Sequence, residues 1–269
     1  MNGLVVENGS VFEDFIQDKV KQYFDLFPEM SPVPFNIICT TSLNETHFEL
    51  RPEHVERLKK QDIEKEQNAN GRVILPAKVG DCIHILMNLH QIIKFTEDKS
   101  LTWIGTLAHE ITHAIDYAEM AKKENLFSYD NLLEISNYWM FQLWTEYHAR
   151  RYGYLFLRYI FNVDAESENN LEYILNTEFP FFVRSLRHEL NIDDNINRQL
   201  YEIMQFLGRF SVWCDLFPET FNRLLLEKEF PQLMVLSIIF DFLRENESLE
   251  CAYKNFDKME ILLKENLRY

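Results

Sequence analysis

The sequence predicts an α+β protein that is mainly helical, with a small β-sheet followed by helices that run to the end of the chain. Two observations carry this. Short β-branched segments bounded by Pro, Gly and Asn are confined to residues 34 to 88, whereas from Leu101 onward the apolar residues recur at helical spacing. With only 7 glycines and 8 prolines among 269 residues, long linkers are not expected.

In chain order, Phe12, Phe15, Ile16, Val20, Tyr23 and Phe24 lie on one helical face, and Pro28 follows them, so a helix is expected over 11–27. Pro34 to Thr40 reads as a strand, residues 52–67 as a charged helix, and 68–71 as a turn. Two further strands are expected, Arg72 to Pro76 and Asp81 to Asn88, joined around Gly80. Beyond Leu101, helix breaks are expected near Asn125, 164–170, Phe179-Pro180, 191–194, Phe217-Pro218, Phe230-Pro231 and Asn246. The acidic, Asn-rich stretch at 164–170 is the candidate boundary between a first domain, 1–163, and a helical C-terminal subdomain, 164–269.

Composition excludes some functions. A net charge of −16 and the lack of any Lys/Arg block argue against nucleic acid as a partner. The apolar run from Phe230 to Leu243 is broken by Gln232 and Asp241 and falls short of the roughly 20 residues that cross a bilayer, so no membrane partner is expected. The opening residues lack the basic start and long apolar run of a secretory signal, which points to a cytoplasmic location. Cys39, Cys82, Cys214 and Cys251 are widely spaced and read as reduced, mostly buried thiols. Asn44-Glu45-Thr46 and Asn246-Glu247-Ser248 fit the glycosylation pattern by chance on this reading.

The motif with chemical content is His109-Glu110-Ile111-Thr112-His113. Histidines four apart on a helix point the same way and can hold one metal ion, and a Glu beside them can take a proton from an activated water. Ile104, Leu107, Ala108, Ile111, Ala114, Ile115 and Ala118 form an apolar face, while Thr106, His109, His113, Asp116 and Tyr117 occupy another. The bare pattern would arise by chance in roughly one such chain in forty, and the amphipathic setting adds weight to it. The preceding strand candidate, Asp81 to Asn88, is one that could lie beside a substrate cleft.

A catalytic zinc site needs a third protein ligand. Glu146 is the choice, because Ala149 and Gly153 lie on roughly its face of a predicted helix and let a neighbouring helix approach. A rival reading takes the third ligand from Glu119, but Asp116 stands where that arrangement needs a Gly for a sharp turn. His148 points to another side of the Glu146 helix and reads as a packed histidine. Asp116 is a candidate for orienting a ligand histidine, with an exposed helix-face role equally open. Tyr117, Tyr147 and Arg150 are candidate oxyanion donors. The aromatic segments 138–144 and 179–182 read as core.

His-Glu-x-x-His followed by a helix carrying Glu146-Tyr147-His148-Ala149 resembles the gluzincin class of zinc peptidases, especially the minigluzincins, and is similar to the phage-associated ImmA/IrrE-type metallopeptidases. The resemblance covers about Pro34 to Phe161. It implies a zincin-like sheet, an active-site helix and a glutamate-bearing helix. It also implies Zn²⁺ held by His109, His113 and Glu146, with Glu110 as the general base.

The expected function is therefore zinc-dependent intracellular hydrolysis of peptide bonds with restricted specificity, a peptide or protein being the substrate. The helical C-terminal region is a candidate surface for a protein partner. The alternative is a catalytically silent, zinc-bearing interaction module, and Glu110 argues against it because a structural site needs ligands but no base. A helical scaffold with an accidental motif would bind no stoichiometric metal.

Overall fold

The computed structural model describes residues 13–55, 69–98, 100–161, 167–192 and 195–266. The first two residues of the expected first helix, most of the charged helix over 52–67, the start of the turn at 68, the acidic residues 164–166 and residues 193–194 lie outside these. The protein is mainly helical with one small sheet, as expected. It divides into two compact units, Met1–Leu133 and Glu134–Tyr269. The units part about thirty residues before the 163/164 boundary suggested by composition, because the helix ending at Ile160 packs with helices that follow it.

In the first unit, α1 (Glu13–Leu26) leads to β1 (Phe35–Thr40), α2 (Leu43–Leu50) and a 3-10 turn at Pro52–His54. Next come β2 (Gly71–Ile74), β3 (Ile83–Asn88), α3 (Leu89–Glu97) and the long α4 (Thr102–Lys123). The sheet order is β1-β3-β2, with β1 parallel and β2 antiparallel to β3. Among the described residues β3 is therefore the central strand, paired on both sides, and β2 lies at an edge. Strand order of this kind is set by pairing partners far apart in sequence, which local spacing does not reveal.

Side chains alternate across the sheet. Ile38, Ile74 and Leu86 pack with Leu43 of α2 in one cluster, and Leu50 and Ala69 close its rim. Helix α4 packs on β2 and β3, and α1 packs on α4. There the Tyr23 hydroxyl meets the Thr112 hydroxyl at 2.8 Å, and Thr112 donates back to the Ala108 carbonyl at 2.8 Å, so a polar group in the core is satisfied.

Helix α4 ends at Lys123, and just beyond it Asn125 has a φ of 53°, a left-handed conformation that Asn tolerates better than most residues. The chain then pairs with the loop between β2 and β3, Lys78 bridging Ser128. The guanidinium of Arg51 ties that region together by donating to the Leu75 carbonyl, Glu53 and both carboxylate oxygens of Asp130.

Two short helices escaped the reading of apolar spacing. Ser42 caps α2 by accepting from the Glu45 amide at 3.3 Å, and Asn88 caps α3 by accepting from the Gln91 amide at 3.4 Å. Ser42-x-x-Glu45 is a capping-box pattern, so a signal for α2 was present.

The second unit contains α5 (Tyr138–Ile160), α6 (Glu168–Tyr173), α7 (Phe179–Ile192), α8 (Ile196–Leu216), α9 (Arg223–Glu229), α10 (Val235–Glu245) and α11 (Leu249–Asn266). The breaks expected at Phe217-Pro218, Phe230-Pro231 and Asn246 are present. At Phe179-Pro180 the helix continues instead. Ile174–Glu178 forms a π-helical turn, whose wider ladder accommodates a proline that lacks an amide donor.

Phe179, Phe210, Trp213, Phe221 and Phe240 form the aromatic core, with ring centroids 5.2 to 6.3 Å apart. Phe141 and Trp144 are buried too, whereas Phe181 projects to solvent.

Helices α5 and α8 approach most closely at Gly208. A methyl group there would lie 2.7 Å from the Tyr147 carbonyl oxygen and 2.8 Å from the Arg150 Cβ. Backbone cannot yield as a side-chain tip can, so Gly208→Ala is expected to destabilise the protein by about 1–3 kcal/mol. Urea denaturation followed by far-UV circular dichroism would read this as a lower midpoint.

The cysteines are free, but only Cys39 is fully buried, and Cys251 is exposed. Burial pushes the Cys39 thiol up to about 11 and the Cys214 thiol up to about 12. At pH 8 a thiol reagent is expected to modify Cys251 first and to leave Cys39 and Cys214 unmodified until denaturant is added. Mass spectrometry of a labelling time course checks the order. Asn44 and Asn246 are buried, which agrees with reading their glycosylation patterns as accidental.

Candidate metal centre

Helix α4 brings the motif residues together within the first unit. His109 and His113, one turn apart, place their Nε2 atoms 3.1 Å from each other, with the rings edge to face at 85°. Two nitrogens bound to one tetrahedral zinc at 2.0–2.1 Å lie about 3.3 Å apart. The pair is therefore spaced for a shared ion when neither Nε2 carries a proton, and for a hydrogen bond when one does.

The face opposite the apolar stripe, expected to be polar, is buried as well. His109 is 4% exposed, Glu110 8%, His113 9% and Asp116 1%. Burial at this level removes the exposed-face reading of Asp116. The Tyr117 ring lies against His113, with centroids 6.1 Å apart.

The Glu110 side chain lies against the backbone of β2. A Cβ added to Gly71 would stand 2.8 Å from the Glu110 Cγ and 3.0 Å from its Oε1. Only glycine allows this approach, which puts the Glu110 carboxylate at the first residue of the edge strand.

In the second unit, Glu146 is buried on α5 and accepts a hydrogen bond at Oε1 from the Gln205 side chain. Gln205 also donates to the Tyr201 hydroxyl at 3.0 Å. The close approach of α5 and α8 at Gly208, one turn along from Gln205, makes this contact reachable. Sequence reasoning pointed to small residues on α5; the structure adds a glycine on α8, Gly208, at the close approach of the two helices. Gln205 was not foreseen; its one signal is a polar residue among the apolar positions Ile203, Met204, Phe206 and Leu207.

His148 stacks on Trp144 at 4.5 Å and meets Tyr152 edge-on at 4.8 Å, as a packed histidine should. Tyr147 is fully buried, and desolvation pushes its hydroxyl up to about 12, which leaves it a poor candidate to donate to a substrate.

Among the described residues, His109, His113 and Glu146 form a group that could hold a metal ion. Asp116, Glu119 and His148 are not part of it. Two imidazoles and one carboxylate are a donor set suited to zinc and to other divalent ions.

Hydrogen bonds to a ligand carboxylate orient it, and their loss commonly weakens metal binding about 10- to 100-fold. Gln205→Ala is expected to do so here, as measured by zinc competition against a chromogenic chelator. No helix among the described residues is long and apolar enough to cross a membrane. Comparison with protein-family models, curated proteins and solved structures finds no match to this chain.

Proposed function

We propose that the protein is a zincin-like, zinc-dependent metallopeptidase of restricted specificity that works in the cytoplasm on a peptide or a flexible protein segment. The observation that carries this reading is the pair of imidazole nitrogens 3.1 Å apart, with a carboxylic residue between them in sequence whose side chain is held at the edge of a sheet. His109, His113 and Glu146 would hold the ion. When bound, zinc supplies Lewis acidity, which polarises the scissile carbonyl and makes a water easier to deprotonate.

Glu110 is the general base of this reading. Its carboxylate takes the proton of the attacking water and delivers it to the leaving amine, so the same oxygen serves twice. Its burial keeps competing water away, and Gly71 lets it reach the strand where a substrate backbone would lie. Among the described residues β2 pairs only with β3, so an extended peptide can add to its other edge through main-chain hydrogen bonds. Recognition through the backbone leaves side-chain selectivity to neighbouring surfaces, in keeping with a segment chosen by its flexibility.

Elemental analysis of tag-free protein tests the site. The wild type is expected to carry about one zinc per chain. His113→Ala and Glu146→Ala are expected to lose it. Glu110→Gln is expected to keep the metal while peptide hydrolysis falls by about 10²- to 10⁴-fold, the range for a lost general base. Absence of metal in wild-type protein offered zinc would sink the peptidase reading. Unchanged hydrolysis in Glu110→Gln would remove Glu110 from the mechanism.

A further inference from the structure

Among the described residues, Arg150 and Arg209, in the second unit, form no close ion pair with a carboxylate. The other arginines of the same two helices do: Arg151 binds Asp215, Arg158 binds Glu178 and Arg198 binds Glu189. Among the described residues, no carboxylate makes an ion pair with Arg150 or Arg209. The Nε of Arg150 is removed from water with no hydrogen bond, while the residue as a whole remains half-buried, as does Arg209.

The two side chains are neighbours. The Arg150 stem presses against Gly208, the residue preceding Arg209. Arg209 donates from Nη1 to the Gln205 carbonyl at 3.1 Å, and its guanidinium lies 4.4 Å from the centre of the Phe182 ring. Burial, then the adjacent Arg150 charge, pull Arg209 below the usual guanidinium range, while Glu146 and Glu202 oppose this from a distance. Two like charges held together out of bulk water are costly unless an anion joins them.

The position relative to the candidate metal centre is also defined. Arg150 follows Glu146 by one helical turn, on the same face of α5. Gln205 touches Glu146 through its side chain and Arg209 through its carbonyl.

We propose that Arg150 and Arg209 form an anion pocket that receives the C-terminal carboxylate of a peptide substrate. This rests on the peptidase reading and narrows it to cleavage close to a free C-terminus. A carboxylate matches the planar guanidinium fork and is the one anion that every unblocked peptide carries. A pocket one helical turn, about 5.4 Å, from a metal ligand suits cleavage within a residue or two of the chain end.

The test uses the full chain after chelator treatment, so it does not depend on catalysis. The probes are acetyl-Ala-Phe and the same dipeptide as its C-terminal amide, titrated by ligand-observed NMR. The acid is expected to bind about tenfold or more tightly than the amide, an advantage typical of a charged pair with hydrogen bonds. Arg150→Gln and Arg209→Gln, checked for fold by circular dichroism, are expected to abolish that preference.

Should a variant not fold, the wild type carries the test alone. The preference is expected to shrink between about 50 mM and about 500 mM salt, as a partly exposed charge pocket requires. Equal binding of acid and amide, a preference retained in both variants, or one indifferent to salt would each overturn the pocket. A preference that emerges only when zinc is restored would assign the carboxylate to the metal instead, and tighter binding of inorganic phosphate than of the acid would overturn the peptide assignment. Zinc content measured on the same preparation reports separately on the peptidase reading.

Discussion

Burying imidazole and carboxylate side chains along a helix is unfavourable unless each polar atom finds a partner, and α4 buries such side chains along a face that includes His109, Glu110, His113 and Asp116. The first unit is arranged around that constraint. The sheet and α1 cover the helix, and the Tyr23 hydroxyl closes the polar account of Thr112. The two histidines answer to each other at 3.1 Å. A helix carrying only packing residues would have no reason to keep four titratable groups out of water, and this burial is the physical difference between α4 and an ordinary amphipathic helix.

The same economy governs α5. Glu146 is a buried carboxylate that accepts a hydrogen bond from an amide on α8, and at residue 208 the two helices come so close that no side chain would fit. Position and chemistry are therefore coupled within the second unit. Packing at Gly208 sets how Gln205 meets Glu146, and it also presses the stem of Arg150 against the helix that carries Arg209. A carboxylate held by packing on one side and by a hydrogen bond on the other is restricted in rotamer, the condition for a side chain that could hold an ion in one geometry.

Some of this was legible in the chain itself. Helical spacing from Leu101 onward and the three strand segments were read with their order intact, and proline and asparagine marked most helix ends. Where the reading departed from the structure, the cause was geometric. Pro180 does not end its helix because a π-helical turn precedes it, an option that periodicity cannot express. Helices of eight and nine residues at Leu43–Leu50 and Leu89–Glu97 are too short for apolar spacing to reveal, although the caps at Ser42 and Asn88 announce them.

By itself the sequence determined what depends on neighbours along the chain. Two histidines four apart must share a face of any helix that contains them, and a glutamate beside the first must stand at that face's edge, because 3.6 residues make a turn. Tertiary structure alone decided which strand became the sheet edge, that Gly71 would admit Glu110, that Gln205 would reach a residue 59 positions away, and that Arg150 and Arg209 would stand side by side. These contacts join residues that no local periodicity relates. They are fixed only when helices and strands are packed and a missing side chain in one element becomes room for another.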